Sequence, residues 1–158
     1  MKKYWVATLL GLLLFLIDRT IKYLISQAPS AGFFITKQLG LNYYLNPGLA
    51  FGLPLPNVMN IVLTSAVLLL LIVWLKRKLL FQLWPLILIY IGAISNLIDR
   101  IRFGGVIDYL IIPIWPVFNL ADCYIVLGII LLALDLKNQS RSQSLVSGND
   151  KNNLISSS

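Results

Sequence analysis

Apolar positions in this chain gather into four long runs, and the segments between them are polar, aromatic or rich in turn residues. The runs cover about 4–25, 58–75, 80–98 and 118–136. At 1.5 Å per residue the first extends roughly 33 Å, enough to cross the hydrocarbon core of a bilayer. The second is almost pure Leu, Ile and Val, holds no charge and ends at Lys76-Arg77-Lys78. The third follows almost at once, so the two are expected to form a tight helical hairpin. Pro85 falls near the start of the third run, where a helix best tolerates proline. The pattern predicts an all-α integral membrane protein with four spans.

Residues 26–57 differ in kind. Pro29, Ser30 and Gly32 mark a turn, while Phe33-Phe34-Ile35-Thr36 and Leu41-Asn42-Tyr43-Tyr44-Leu45 have the β-branched and aromatic content of strands. A small extracytoplasmic β-ribbon or cradle is expected here, lying at the membrane surface. Asn46-Pro47-Gly48-Leu49-Ala50-Phe51-Gly52, followed by Pro54 and Pro56, reads as a turn. After Leu136 the composition shifts to Asn, Ser, Gln and Gly, too polar to bury a core, so 138–158 is expected to be a disordered cytoplasmic tail behind one membrane domain at 1–137. The N-terminal Lys-Lys and apolar run resemble a secretory leader. Asp18, Arg19 and Lys22 interrupt the apolar-to-small transition that cleavage needs, so an uncleaved first span is expected.

Composition agrees with this picture. Of 158 residues, 58% are hydrophobic and only 12% charged, against about a quarter in a soluble domain. The mean hydropathy is +0.83. The net charge of +7 does not suggest nucleic acid, because the cations are dispersed around apolar runs rather than gathered on a polar face. With the N-terminus inside, eight Lys and Arg fall on the cytoplasmic side and five outside, which places both termini in the cytoplasm. Without His, neither a His-liganded metal nor a His-based triad can form. A lone cysteine, Cys123, excludes an intrachain disulfide and is expected to be buried packing.

The candidate chemistry therefore lies in the acids, all of them Asp. Ionisable groups in spans are expensive and face a bundle interior or a wet cavity. Asp135 sits beside Lys137 at the cytoplasmic end of the fourth run and reads as an ordinary interfacial charge. Asp18, Asp99, Asp108 and Asp122 all map to the extracytoplasmic ends of their runs or the loops next to them, as a single site would require. Asp18 and Lys22 are four apart and share a helical face. Asp99 is expected to pair with the neighbouring Arg100. Asn96 lies on the face of Arg100, and Asn119 beside Asp122. Gly104-Gly105 permits a reversal, and the 13 residues between Asp108 and Asp122 form a loop long enough for both carboxylates to meet. Ser95, Tyr109 and Trp115 read as lining or packing residues.

Two close carboxylates hold one proton between them. The ionised member can activate water, and the protonated one can polarise a carbonyl and then protonate a leaving amine. The same acids would also serve an ion- or proton-conducting membrane protein. On the residues alone these stay open.

Five ordered motifs add a resemblance: Asp18-x-x-x-Lys22, Asn46-x-Gly48-x-Ala50-Phe51, Asn96-x-x-Asp99-Arg100, Gly104-x-Val106-Ile107-Asp108-Tyr109 and Phe118-Asn119-x-Ala121-Asp122. Over about residues 4–136 the chain resembles lipoprotein signal peptidase (signal peptidase II). The resemblance implies a membrane aspartic endopeptidase that needs no cofactor or metal. It would remove signal peptides from bacterial prolipoproteins just before a diacylglyceryl-modified cysteine. Asp108 and Asp122 match the catalytic pair. Asn46, Gly48, Asn96, Arg100, Asn119 and Ala121 match positions that shape or support the site, and Asp18 and Lys22 match the first-helix pair. The chain departs from the family pattern at Ile21, where Ser or Thr is usual before the Lys, at Ser95, where Gly is common, and at Tyr109, where Phe is frequent. The expected partners are prolipoproteins and membrane lipid. The expected setting is the bacterial plasma membrane, with a monomer's active site near the extracytoplasmic face.

Overall fold

The computed structural model describes residues 2–36, 38–48, 56–77 and 83–156. In chain order the elements are α1 (Lys2–Gln27), β1 (Phe33–Thr36), β2 (Leu39–Asn46), α2 (Asn57–Arg77), α3 (Leu83–Phe103), β3 (Val106–Ile111) and α4 (Leu120–Ser156). Over the described residues the body of each apolar run is helical, and the strand-like segment after the first is a pair of antiparallel strands. α1 stops one residue short of the Ala28-Pro29 step because a residue before proline is driven out of helical geometry. Pro85 sits in the first turn of α3, as expected.

A third strand, β3, differs from the sequence expectation, which left this stretch as loop. Gly104, at φ 75°, turns the chain out of α3 while its N–H closes the helix on the Arg100 carbonyl at 3.2 Å. β3 then pairs antiparallel with β2, giving the sheet order β1-β2-β3. The register sets Tyr44 opposite Asp108 and Asn46 opposite Val106. Val-Ile-Asp-Tyr-Leu-Ile has strand composition, but its pairing partner is sixty or more residues away and left no local signal.

α3 is the hub, packing against α1, α2 and α4. Small residues let the α3 and α4 backbones approach closely. A Cβ on Gly92 would collide with the Ala121 carbonyl oxygen, and one on Gly128 would lie 2.6 Å from that of Pro85. Leu86, Leu88, Ile89 and Ala93 fill the core beside them.

The distribution of polarity is inverted. Asp18, Lys22, Asp99 and Asn119 are fully buried, while Leu9, Val62, Leu70 and Ile129 are more than half exposed. Among the described residues no helix is long and apolar enough to cross a membrane. Charged residues interrupt α1 (Asp18, Arg19, Lys22), α3 (Asp99, Arg100, Arg102) and α4 (Asp122, Asp135).

Two further expectations need correction. α4 continues as helix to Ser156, where a disordered extension was expected. No proline follows Pro116, and lengthening an existing helix costs far less than starting one. Cys123 is exposed rather than buried. Ala50 and Phe51 of the turn motif lie outside the described residues, as does Lys78 of the cationic cluster.

Candidate active site

The two aspartates reach one cavity from different kinds of element. Asp108 lies on β3 and Asp122 in the first turn of α4. Along a strand successive side chains point to opposite faces, so Asp108 and Tyr109 must diverge. Asn119-x-x-Asp122 is a reciprocal helix cap: Asn119 Oδ1 accepts from Asp122 N at 2.9 Å, and Asp122 Oδ2 accepts from Asn119 N at 3.3 Å. The cap fixes both side chains, and Asn119 Nδ2 then reaches back to Asp108 Oδ1 at 2.6 Å.

Every oxygen of the pair has an amide donor. Asn46 Nδ2, at the end of β2, donates to Asp108 Oδ2 at 2.9 Å, and Asn96 Nδ2, from α3, donates to Asp122 Oδ1 at 2.7 Å. Asn46 is itself oriented, since its Oδ1 accepts from Gly48 N at 3.0 Å in an Asx turn. The Gly48 carbonyl in turn accepts from Arg100 Nη2 at 3.5 Å. Asn46, Asn96, Arg100, Asp108 and Asp122 share a cavity of about 310 Å³, walled by Ala93, Val106, Trp115, Pro116, Val117, Phe118, Ile125 and Val126. Its walls are mostly apolar and its polar groups converge, as in ligand sites generally. Arg100 is 9% exposed, and its Nε has no hydrogen-bond partner among the described residues.

Burial pushes the Asp108 carboxyl up to about 6. The nearby Asp122 charge adds to the rise, while the Asn46 and Asn119 hydrogen bonds and the Lys22 charge oppose it. A carboxyl in that range can hold or release a proton near neutrality, as acid–base chemistry requires.

Behind the cavity lies a compact charged cluster. Lys22 Nζ stands 2.7 Å from Asp99 Oδ2 and 3.3 Å from Asp18 Oδ2, and donates to Asn96 Oδ1 at 2.8 Å. Arg19 pairs with Asp99 and also donates to Ser95. Two cations thus face two carboxylates. Asp99 does not pair with Arg100 as expected, because adjacent helical residues point in different directions. Its Oδ2 instead accepts from Ile107 N at 3.3 Å, tying α3 to the strand beside Asp108.

Of the ten candidate residues from the sequence, Asn46, Asn96, Arg100, Asp108 and Asp122 line the cavity, Asp18 and Lys22 lie in the charged cluster, and Gly48, Asn119 and Ala121 are hydrogen-bonded to members of one or the other. Ala121 is fully buried, and its N–H donates to Asp18 Oδ1 at 3.2 Å. Arg19 was missed, although a cation inside an apolar run was the available signal. Ser95 and Tyr109, read as lining, both donate to Asp18. Among the described residues no group of three or more His, Cys, Asp or Glu could hold a metal ion.

Comparison with known proteins identifies relatives of this chain over most of its length. A model of the family described as Signal peptidase (SPase) II matches residues 10–137. The chain is 41% identical over 140 residues to the lipoprotein signal peptidase of Moorella thermoacetica, covering 81% of this chain and 90% of that one. It is also 41% identical over 136 residues to the lipoprotein signal peptidase of Halothermothrix orenii, covering 82% and 94%. A bacterial membrane enzyme structure obtained by the in meso method at 2.3 Å resolution matches with a TM-score of 0.77 and 25% identity, over 85% of this chain and 89% of that one.

Proposed function

Because the chain belongs to the signal peptidase II family, we propose that it is an aspartic endopeptidase removing signal peptides from prolipoproteins, with Asp108 and Asp122 as the catalytic pair. The observation that carries this reading is that Asp108 and Asp122, from separate elements, open onto one cavity with each carboxylate held by asparagine amides. The ionised carboxylate takes a proton from water, which attacks the scissile carbonyl. The protonated partner hydrogen-bonds that carbonyl, and a proton passes to the departing amine as the tetrahedral intermediate collapses. Asn46, Asn96 and Asn119 hold the carboxylates, Gly48 shapes the turn, and Arg100 offers a guanidinium to negative charge arising nearby. The substrate is cut before its diacylglyceryl-modified cysteine, and its lipid enters from the bilayer.

Residues 1–137 form the membrane domain, with α1, α2, α3 and the first part of α4 as four spans and both termini cytoplasmic. The charges that interrupt the apolar runs support this reading instead of opposing it. Asp18, Arg19, Lys22 and Asp99 are turned inward and paired, while the surfaces turned outward are Leu, Ile and Val. The site then lies near the extracytoplasmic face, with the sheet along the membrane surface and a monomer as the working unit. The test is a cleavage assay in detergent with a lipidated prolipoprotein and its unlipidated form. Cleavage of the lipidated form alone is expected. Aspartate-dependent proton flux in proteoliposomes without cleavage would replace the peptidase with a relay.

A further inference from the structure

Tyr109 is the side chain next to Asp108, and the strand pleat sends it away from the cavity into the packed polar interior, where it is 1% exposed. Its hydroxyl meets two partners whose chemistry fixes its orientation. Leu120 N can only donate, and it does so to the Tyr109 oxygen at 3.2 Å. Asp18 Oδ1 can only accept from the hydroxyl proton, at 3.3 Å. The same Oδ1 also accepts from Ala121 N at 3.2 Å. Asp18 Oδ2 is engaged elsewhere, by Ser95 Oγ and Lys22 Nζ.

Leu120 and Ala121 are the first two residues of α4, and Asp122 is the third. Leading N–H groups of a helix have no partner within it. Here the first goes to Tyr109 and the second to the carboxylate that Tyr109 also touches. We propose that Tyr109 is a positioning residue for the aspartate pair: its hydroxyl, shared between Leu120 N–H and Asp18, locks the strand carrying Asp108 to the helix start carrying Asp122. Burial and the Asp18 charge push the phenol well above its ordinary value, so it stays protonated and keeps its donor role. A phenyl ring would fill the same space but supply neither half of the clasp. The helix start would then be held to β3 by Asn119 and by the backbone bridge between Leu110 and Phe118, neither of which engages the Leu120 N–H.

This inference rests on the peptidase reading above, and the experiment separates the two. Wild type, Tyr109→Phe and Tyr90→Phe are compared for cleavage of a lipidated prolipoprotein and for thermal unfolding in the same detergent. Tyr90 is a control, a tyrosine whose hydroxyl bonds the Leu68 carbonyl at 2.8 Å away from the cavity. Misplacing reacting groups lowers turnover more than binding, so Tyr109→Phe should lower kcat roughly 5- to 20-fold with KM within about twofold. The Tyr90 variant should keep wild-type kcat. Wild-type kcat in Tyr109→Phe, or a loss that only tracks its unfolded fraction, would overturn the positioning role and leave the peptidase reading standing. Absence of cleavage by wild type would instead overturn the peptidase reading, and this inference with it.

Discussion

Lys22 Nζ and Asp99 Oδ2 lie 2.7 Å apart with neither side chain exposed, joining α1 to α3 in the interior behind the cavity. Removing one partner of a buried pair strands the other charge, at a cost of about 3–5 kcal/mol. Here the loss is shared: Arg19 still serves Asp99, but Asp18 keeps only neutral donors. Lys22→Met is therefore expected to lower the thermal midpoint sharply in detergent. Adding Asp18→Asn should recover part of that loss by removing the unmatched charge. A double variant as unstable as the two single losses combined would show that Lys22 does not act through Asp18.

The hydrogen bond from Asn46 to Asp108 should be visible in the pH dependence of cleavage. This donor favours the ionised carboxylate and opposes the rise to about 6 caused by burial. Asn46→Ala removes it, so the titration assigned to Asp108 should move to higher pH by up to about one unit. Stability carries a matching sign. The folded Asp108 carboxyl has its pKa raised above the unfolded value, so folded protein binds more protons between about 4 and about 6. Its contribution to stability should fall as pH rises through that window and level off above it. A limb that moves to lower pH in the Asn46 variant would reverse the assigned role of this bond.

Ile114, between β3 and α4, has φ 68° and a fully exposed side chain. A β-branched residue in the left-handed region is strained by about 1–2 kcal/mol, and nothing buried offsets the strain. Ile114→Asn should relieve about 1 kcal/mol, read as a modest rise in the unfolding midpoint in detergent. A lower midpoint would mean that the exposed isoleucine contributes more than its backbone costs.

These relationships divide sharply in how far they could be read from residue order. The helices were legible because apolar runs need no partner to announce themselves, and Asn119 beside Asp122 was legible because a spacing of three is local, although the reciprocal cap they form appears only in the structure. β3 was not, since Val106–Ile111 becomes a strand by pairing with β2, far off in sequence. The partner of Asp99 was misjudged for the same reason: Arg100 is adjacent in the chain, but Arg19 and Lys22 are adjacent in space. Ser95 and Tyr109 looked like packing because their role depends on Asp18, which only helix packing brings to them.

Asp108 and Asp122 are proposed to perform the cleavage together. The most direct measurement is the rate of signal-peptide release from a lipidated prolipoprotein in detergent by wild type, Asp108→Asn and Asp122→Asn, each checked for an intact unfolding transition. Both variants should be folded and should lose at least about three orders of magnitude in kcat, since neither a lone carboxylate nor its amide can exchange the shared proton. Turnover near the wild-type rate in either folded variant would contradict the assignment of the pair.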